Sequence, residues 1–316
     1  MALVRRSAQI LSAVLLLGGC GTPLNRAVAQ IASEGVDQHA IVDARSMALG
    51  DATFADPHNA GSMYWNAALL PFVTPGSISA TAATEKTYYD DLLTTFTVCG
   101  SFEIEHTWGF GVGTTFHKVS SWGDLNPQAG TKFSLLNFDF AISRTILPAL
   151  SFGVNPTLHY GRGERSQQWA ASCNLGLFYY PIAGLSYAVM YRGLGNTIRY
   201  PYYADGSMTG VEKETSEKSL QLGVTIRFPA AKLTKVFFMS IAAEKILPAR
   251  RTVYKGGCEW WPLQFLAVRI GYWIGPDTRA ARYGAGLKFD RFAFDYGIAP
   301  SKLEPRTQQF TAAYRF

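Results

Sequence analysis

The sequence predicts an all-β fold, a closed antiparallel transmembrane β-barrel of about 14 strands with a short N-terminal helical plug segment. Three observations favour this fold. Charged residues make up 16% of the chain, below the roughly 25% of soluble domains, whereas aromatic residues reach 14%. Long runs alternate between apolar residues and small or polar ones, and the chain begins with an export signal.

The export signal is predicted over residues 1–20, with 29 as the alternative end. Arg5 and Arg6 precede an apolar run, Ser7–Leu17, that is too short to span a bilayer as a helix. Leu17–Cys20 resembles a lipobox, which would make Cys20 an acylated N-terminus. Ala27–Ala29 offers an ordinary A-x-A cleavage site instead, and a chance cysteine at position 20 is the third interpretation.

The remaining cysteines, Cys99, Cys173 and Cys258, are odd in number and widely spaced. This pattern matches neither a disulfide framework nor a metal motif, so we expect packing residues and neither a metal nor another cofactor. The net charge of +6 comes from scattered Lys and Arg without a basic run, so no nucleic-acid partner is expected.

Strand-like alternation is the main evidence for the barrel. In 108–117, Trp108, Phe110 and Val112 alternate with glycines, and 150–161 alternates in the same way. A soluble β-sandwich also alternates, but these runs approach the length of a tilted membrane strand, and their polar face is rich in glycine, which suits a lumen. No later stretch approaches eighteen apolar residues, so a membrane protein of this sequence must close its sheet.

Fourteen such runs are predicted within a barrel domain of residues 76–316, the first near 76–84 and the last over 307–316. Short connections such as 147–148 and 290–291 alternate with longer polar ones such as 120–131 and 195–216. This asymmetry is typical of barrels in the bacterial cell outer membrane, with the short turns on the periplasmic side. Tyr and Trp at strand ends indicate contact with outer-membrane lipid, and the terminal Phe316 looks like the signal read by the outer-membrane barrel assembly machinery.

Residues 30–75 do not alternate and form the predicted N-terminal leader or plug. Ala44–Ala52 suits a short helix or turn, and a second helix is expected to end at Pro71. A plug inside the barrel and a periplasmic leader packed under its rim are the two interpretations.

This segment resembles the N-terminal signature of the PorV/PorQ family, within the wider group of FadL-type (long-chain fatty-acid transporter) barrels. Ala67 stands where that family has Pro, and Leu69 where it has Gly. The segment 294–300 is also similar to the family's penultimate strand. The residues that carry the signature are Arg45, Gly50, Trp65, Asn66, Ala68 and Leu69.

The resemblance implies a barrel of fourteen strands with a plug and, in some members, a role in type IX secretion as a binding or shuttle component for secreted proteins with C-terminal signal domains. The wider group implies the alternative, a FadL-like channel for uptake or export of hydrophobic small molecules. A purely structural barrel is the third hypothesis. Inward faces of Gly, Ser, Thr, Asn and charge favour the secretion role over a lipid channel.

No enzymatic activity and no catalytic residue are predicted. His117 and His159 fall on the predicted lumen face, but no nucleophile motif lies beside them in the sequence. Charged residues on inward faces are the better candidates, either as a salt-bridge network or as a docking site for anionic groups. These lumen charges are Arg192, Arg227, Lys255, Glu259, Arg269, Arg282, Lys288 and Asp295.

Overall fold

A computed structural model shows how the chain folds. The residues that it describes are 42–73, 76–86, 92–105, 107–120, 132–162, 167–195, 197–204, 207–215, 218–228, 237–247, 251–276, 279–300 and 306–316. The predicted export signal and Cys20 lie outside these ranges. No helix in them is both long enough and apolar enough to cross a membrane.

The helical elements come first in the described chain. They are α1 (Ala44–Ala48), α2 (Ser62–Trp65) and a 3-10 helix (Ala67–Phe72). Sixteen strands follow: β1 (Ser77–Lys86), β2 (Leu92–Ile104), β3 (Trp108–Ser120), β4 (Lys132–Leu147), β5 (Leu150–Arg162), β6 (Gln167–Ile182), β7 (Leu185–Leu194), β8 (Thr197–Ala204), β9 (Ser207–Thr215), β10 (Ser219–Phe228), β11 (Phe237–Ile246), β12 (Arg251–Leu263), β13 (Leu266–Ile274), β14 (Arg279–Phe289), β15 (Phe292–Ala299) and β16 (Arg306–Arg315).

Fourteen of the sixteen strands form one closed antiparallel ring. Strands β1 to β7 pair in order, β7 pairs with β10, and β10 to β16 return to β1, where Ser77 lies opposite Arg315. The predicted strand number is therefore confirmed. The segment 195–216, predicted as a loop, instead contains the β8–β9 hairpin, in which Arg199 of β8 pairs with Trp169 of the wall strand β6.

The two faces of the wall differ as the alternation predicts. Phe96, Val98 and Phe102 are about half exposed on the outside of β2, whereas Thr95 and Thr97, which alternate with them, are buried. A closed ring leaves no unpaired sheet edge in lipid, and an apolar outer surface can contact lipid tails in place of water. Closure and exterior are those of an outer-membrane β-barrel.

Aromatic rings mark both ends of the outer surface. Tyr160 and Trp169 pack with centroids 4.6 Å apart near the long-loop end, and Phe292 and Tyr314 pack at 4.9 Å near the opposite end. The second end carries the short connections, such as 148–149 and 290–291, and is called the short-turn end. Such paired belts are typical of the two membrane interfaces.

Residues 42–73, called the plug, lie inside the barrel near the short-turn end. Almost every one of them is buried. Helix α1 packs on β13 to β16, and the 3-10 helix packs on β2 to β6. Helix α1 and the 3-10 helix each have a side-chain cap, because Asp43 accepts from the backbone N–H groups of Arg45 and Ser46, and Asn66 accepts from that of Ala68.

Inward glycines of the wall allow the plug backbone to approach closely. A Cβ atom at Gly153 would overlap the backbone of Ala68, and one at Gly271 would overlap the backbone at Gly50. Gly50 itself has φ +67°, which favours glycine. The inward glycines that alternate along the wall thus form part of the surface on which the plug packs.

We expect Gly271→Ala to destabilise the plugged barrel by about 1–3 kcal/mol, because the added methyl group meets the plug backbone and not a flexible side chain. Denaturant unfolding in detergent micelles and the rate of proteolysis within 42–73 measure the change. Gly100→Ala is the matched control, since a Cβ there makes only ordinary contacts. Equal stability of the two variants would contradict the close approach.

Candidate functional site

Arg45 of α1 is the ionic link between the plug and the wall. Its Nη1 lies 2.6 Å from Oδ2 of Asp56 in the plug, and its Nε lies 2.9 Å from Oε2 of Glu259 on β12. All three residues are buried. One guanidinium therefore neutralises a carboxylate on each side, in the bidentate manner that arginine allows.

Further arginines from the wall extend this network. Arg269 lies 2.6 Å from Glu259 and 2.7 Å from Asp295, so that both carboxylates of the wall are paired. Arg227 of β10 donates to the second oxygen of Asp56. The network therefore contains three arginines and three carboxylates, and it spans from β10 to β15.

A second set of contacts holds the turn after α1. Arg282 lies 2.7 Å from Asp51 of the plug, and its guanidinium stacks 3.6 Å from the ring centre of Trp273. The Trp273 indole N–H donates to the carbonyl of Gly50. Lys255 lies 2.7 Å from Glu244. Cation–π stacking and ion pairing thus fix one turn of the plug from two sides.

Charges within the plug complete the network. Asp43 lies 2.6 Å from Nε2 of His58. Burial favours the neutral form of the Asp43 carboxyl, but His58 and a hydrogen bond from Ser46 outweigh it and hold its pKa below the usual range. The pKa of Asp56 is also lowered, because Arg227 and Arg45 outweigh its burial. Asp43 and Asp56 therefore stay ionised at neutral pH.

The eight charged residues predicted to line the lumen differ in their exposure and position in the structure. Arg227 is partly exposed but reaches Asp56, and Lys288 is exposed at the short-turn end of β14. Six are buried on inward faces: Arg192, Lys255, Glu259, Arg269, Arg282 and Asp295. Glu259, Arg269, Arg282 and Asp295 join the ionic contacts described above, whereas Lys255 pairs with Glu244 of β11 and lies 4.8 Å from the ring centre of Trp273.

The signature residues of the N-terminal segment are contacts between plug and wall. Asn66 caps the 3-10 helix and donates from Nδ2 to the carbonyl of Leu177, 3.2 Å away. The Ala68 carbonyl accepts from the hydroxyl of Ser151. The ring of Trp65 lies 5.7 Å from the Arg192 guanidinium, while Leu69 belongs to an apolar cluster. Arg45 and Gly50 make the contacts given above.

Sequence reasoning missed several members of the network. Asp51 and Glu244 do not stand out in the sequence, since isolated acidic residues are common. Trp273 was expected only as an interfacial aromatic residue. Its parity with Arg269 and Gly271 along β13 was the signal that could have placed it inside the barrel.

A row of side-chain amides replaces part of the backbone ladder in the wall, where Pro156 of β5 has no N–H. Nδ2 of Asn155 donates to the carbonyl of Phe140 at 2.9 Å, and Nδ2 of Asn174 donates to Oδ1 of Asn155 at 3.3 Å. The N–H of Gly193, at the β6–β7 irregularity with φ +80°, donates to Oδ1 of Asn174 at 3.1 Å. We call this row, Asn155, Pro156, Asn174 and Gly193, the amide seam. Proline is rare inside a sheet, so the seam marks a local weakness of the wall.

The described cysteines are free thiols in the wall. Within the part of the chain that the structure describes, no cluster of His, Cys, Asp or Glu is arranged to hold a metal ion.

Comparison of the structure with solved ones identifies the fold. The Ralstonia pickettii toluene transporter TbuX matches with a TM-score of 0.64 at 12% identity, covering 86% of this chain and 98% of that one. The monoaromatic hydrocarbon channel CymD matches with a TM-score of 0.61 at 13% identity, covering 88% and 98%. A Pseudomonas aeruginosa FadL homologue matches with a TM-score of 0.55 at 11% identity, also covering 88% and 98%. The chain has the FadL-type barrel fold.

No protein-family model and no curated protein sequence matches this chain. The likeness to these transporters and channels therefore concerns the fold.

We expect Arg45→Ala to lower the free energy of unfolding by about 3–5 kcal/mol, because it leaves Asp56 and Glu259 buried with one cation fewer. Chemical denaturation in micelles measures this loss. The Arg45→Lys variant keeps the positive charge and should lose less stability than Arg45→Ala. Arg144→Ala is the control, since Arg144 is exposed over Trp108 and its removal should cost roughly 1 kcal/mol or less. Equal losses in the Arg45→Ala and Arg144→Ala variants would show that the link does not hold the plug.

Proposed function

We propose that this chain forms a passage for hydrophobic small molecules across the outer membrane, with the plug as its closure. The observation that carries the proposal is a FadL-type barrel whose lumen holds a buried plug at the short-turn end. Proteins with this fold include a toluene transporter and a monoaromatic hydrocarbon channel. A polar lumen without such a closure would suit hydrophilic solutes instead.

The plug has an ionic side and an apolar side, which supports this proposal. Arg45 and Asp51 make ion pairs with β12 and β14, whereas the apolar side, Phe54, Trp65 and Leu69, packs in one cluster with wall residues of β6, β7 and β11, namely Phe178, Ala188 and Ala242. Phe72 meets Phe178 with ring centroids 4.9 Å apart. An apolar solute can replace such contacts without leaving a charge unpaired. We therefore expect a solute to displace the plug from the wall at these apolar contacts.

The amide seam lies next to that apolar side. Phe178 follows Asn174 on the inward face of β6, with Gly176 between them. Opening the seam would exchange three side-chain hydrogen bonds, each with a net worth of only about 1 kcal/mol. The wall therefore has a local irregularity beside the apolar surface of the plug.

We expect the barrel to raise uptake of radiolabelled toluene into bacterial cells whose lipopolysaccharide bars hydrophobic solutes. Joining the plug to the wall by a disulfide in Ala55→Cys/Ser186→Cys should abolish this gain, and a reductant should restore it. The Ser186 hydroxyl lies 2.6 Å from the Ala55 carbonyl, so the two positions are neighbours.

The control for this experiment is Ser79→Cys/Ala313→Cys, which joins two buried wall positions paired across β1 and β16 and leaves the plug free. Both pairs are made with the native cysteines replaced by alanine. Uptake that equals that of cells without the barrel would reject the proposal. Uptake that the plug disulfide leaves unchanged would reject the plug as its closure.

We expect Pro156→Val to lower toluene uptake at least several-fold, because valine restores an N–H to the seam and stiffens the wall. Leu158→Val, on the same outward face of β5, should leave uptake unchanged. Circular dichroism and heat-modifiable gel mobility check that both barrels fold. Higher or equal uptake by Pro156→Val would show that solutes do not use the seam.

The secretion role implied by the PorV/PorQ resemblance is the second proposal. It is motivated by the resemblance of the N-terminal segment, whose signature includes Arg45, Gly50 and Asn66. Recognition of Phe316 by the assembly machinery is proposed with it. Deleting the gene should then remove proteins with C-terminal signal domains from the secretome, and an unchanged secretome would reject the role.

A further inference from the structure

Three polar side chains from neighbouring wall strands form a line in the lumen. Asn137 of β4 lies opposite His159 of β5 in the strand register, and Ser172 of β6 lies opposite Thr157, two residues before His159. All three belong to inward faces. Nothing in the sequence brings them together, since they are spread over 36 positions and meet only through the pairing of three strands.

The distances join the three side chains into a relay. The Ser172 hydroxyl lies 2.9 Å from Nε2 of His159, and Nδ1 of His159 lies 2.8 Å from Oδ1 of Asn137. An amide oxygen can only accept, so Nδ1 carries the proton and donates to Asn137. Nε2 is then left with its lone pair, which accepts the hydrogen bond from Ser172. This is the arrangement of nucleophile, base and orienting group that acyl-transfer enzymes share.

The other lumen histidine shows that the arrangement is specific. Nδ1 of His117 lies 2.8 Å from the hydroxyl of Thr95, but among the described residues nothing bonds its Nε2. His117 is also buried, whereas His159 and Ser172 are partly exposed. His159 thus has a hydrogen-bond partner at each ring nitrogen and is partly exposed, whereas His117 has a partner at Nδ1 only and is buried.

The relay lies on the long-loop side of the contact between Asn66 and the wall. On β6, Ser172 stands two inward positions beyond Gly176, which contacts Asn66 of the plug. Four residues of strand correspond to roughly 13 Å, so the relay lies that far along the wall from the level of Asn66. Tyr160, next to His159, belongs to the outer aromatic belt, which places the relay near the depth of that membrane interface.

We propose that Ser172, His159 and Asn137 form a hydrolytic site in the lumen that cleaves short-chain carboxylic esters. Ser172 and His159 are the catalytic residues, and Asn137 is a positioning residue. Nearby inward side chains are polar, namely Thr115, His117, Asp139, Thr157 and Asn174, and such a lining suits a short ester better than a long acyl chain. The proposal rests on the relay alone, so it does not depend on the proposed transport.

The reaction runs in two balanced steps. The Ser172 oxygen bonds to the ester carbonyl carbon while its proton moves to Nε2 of His159, and that proton passes to the alcohol oxygen as the C–O bond breaks. Water then attacks the acylated serine, gives one proton to His159, and releases the carboxylic acid as the proton returns to the Ser172 oxygen. Ester and water are consumed, and acid and alcohol are formed.

The first test uses the purified full-length barrel in detergent micelles. A fluorophosphonate probe should label Ser172, as mapped by peptide mass spectrometry, and p-nitrophenyl butyrate should be hydrolysed faster than the laurate ester. Absence of label at Ser172 in the wild-type protein would overturn the proposal. This readout needs no variant, so a variant that fails to fold does not weaken it.

The second test compares variants. Ser172→Ala and His159→Ala should each lower kcat/KM by about 100-fold or more, whereas His117→Ala should leave it within about two-fold. Asn137→Leu should lower kcat with little change in KM, and Asn137→Asp should restore kcat, which a merely structural role would not produce. Hydrolysis that survives Ser172→Ala unchanged would overturn the proposal.

Discussion

Every strand of the wall must find a hydrogen-bonded neighbour on both sides, because lipid offers the backbone no partner. From this one constraint follow the closed ring, the apolar exterior and an interior of glycine, hydroxyl and amide side chains. Such small side chains cannot fill the lumen of a barrel of fourteen strands. The plug supplies the missing atoms, and it can do so because Gly153 and Gly271 let its backbone approach the wall.

A plug in such a lumen needs a means of attachment that differs from a soluble core. Part of it is apolar, around Trp65 and Phe178, but the rest is ionic. Removing either partner of the Arg45–Glu259 pair leaves a buried charge, so the ionic side resists displacement far more than the apolar side. The ion pairs therefore bind the plug to β10, β12 and β14 more firmly than the apolar contacts bind it to β6, which carries part of the amide seam.

Much of this structure could be predicted from the sequence, and the reason is the period of two. Alternation at Trp108–His117 and Leu150–Gly161 determines strands, faces and the number of crossings. Glu259 and Arg269 could be assigned inward by parity alone. The plug residues of the ionic network, Asp51 and Asp56, could not be predicted in this way, because the sequence of the plug has no alternating pattern that shows where its side chains point. Ser172 was missed for a related reason: its distance from His159 is set by strand register, which a single sequence does not contain.

Hydrogen–deuterium exchange of residues 42–73 in the intact barrel tests the central claim most directly, since it reads the plug in place and in lipid. A plug seated on the wall glycines and held by Arg45 should show amides protected to nearly the degree of the wall strands, with Arg45→Ala accelerating exchange in this segment and not in β1 to β5. Exchange over 42–73 as fast as in an unstructured peptide would contradict a plug held in the lumen.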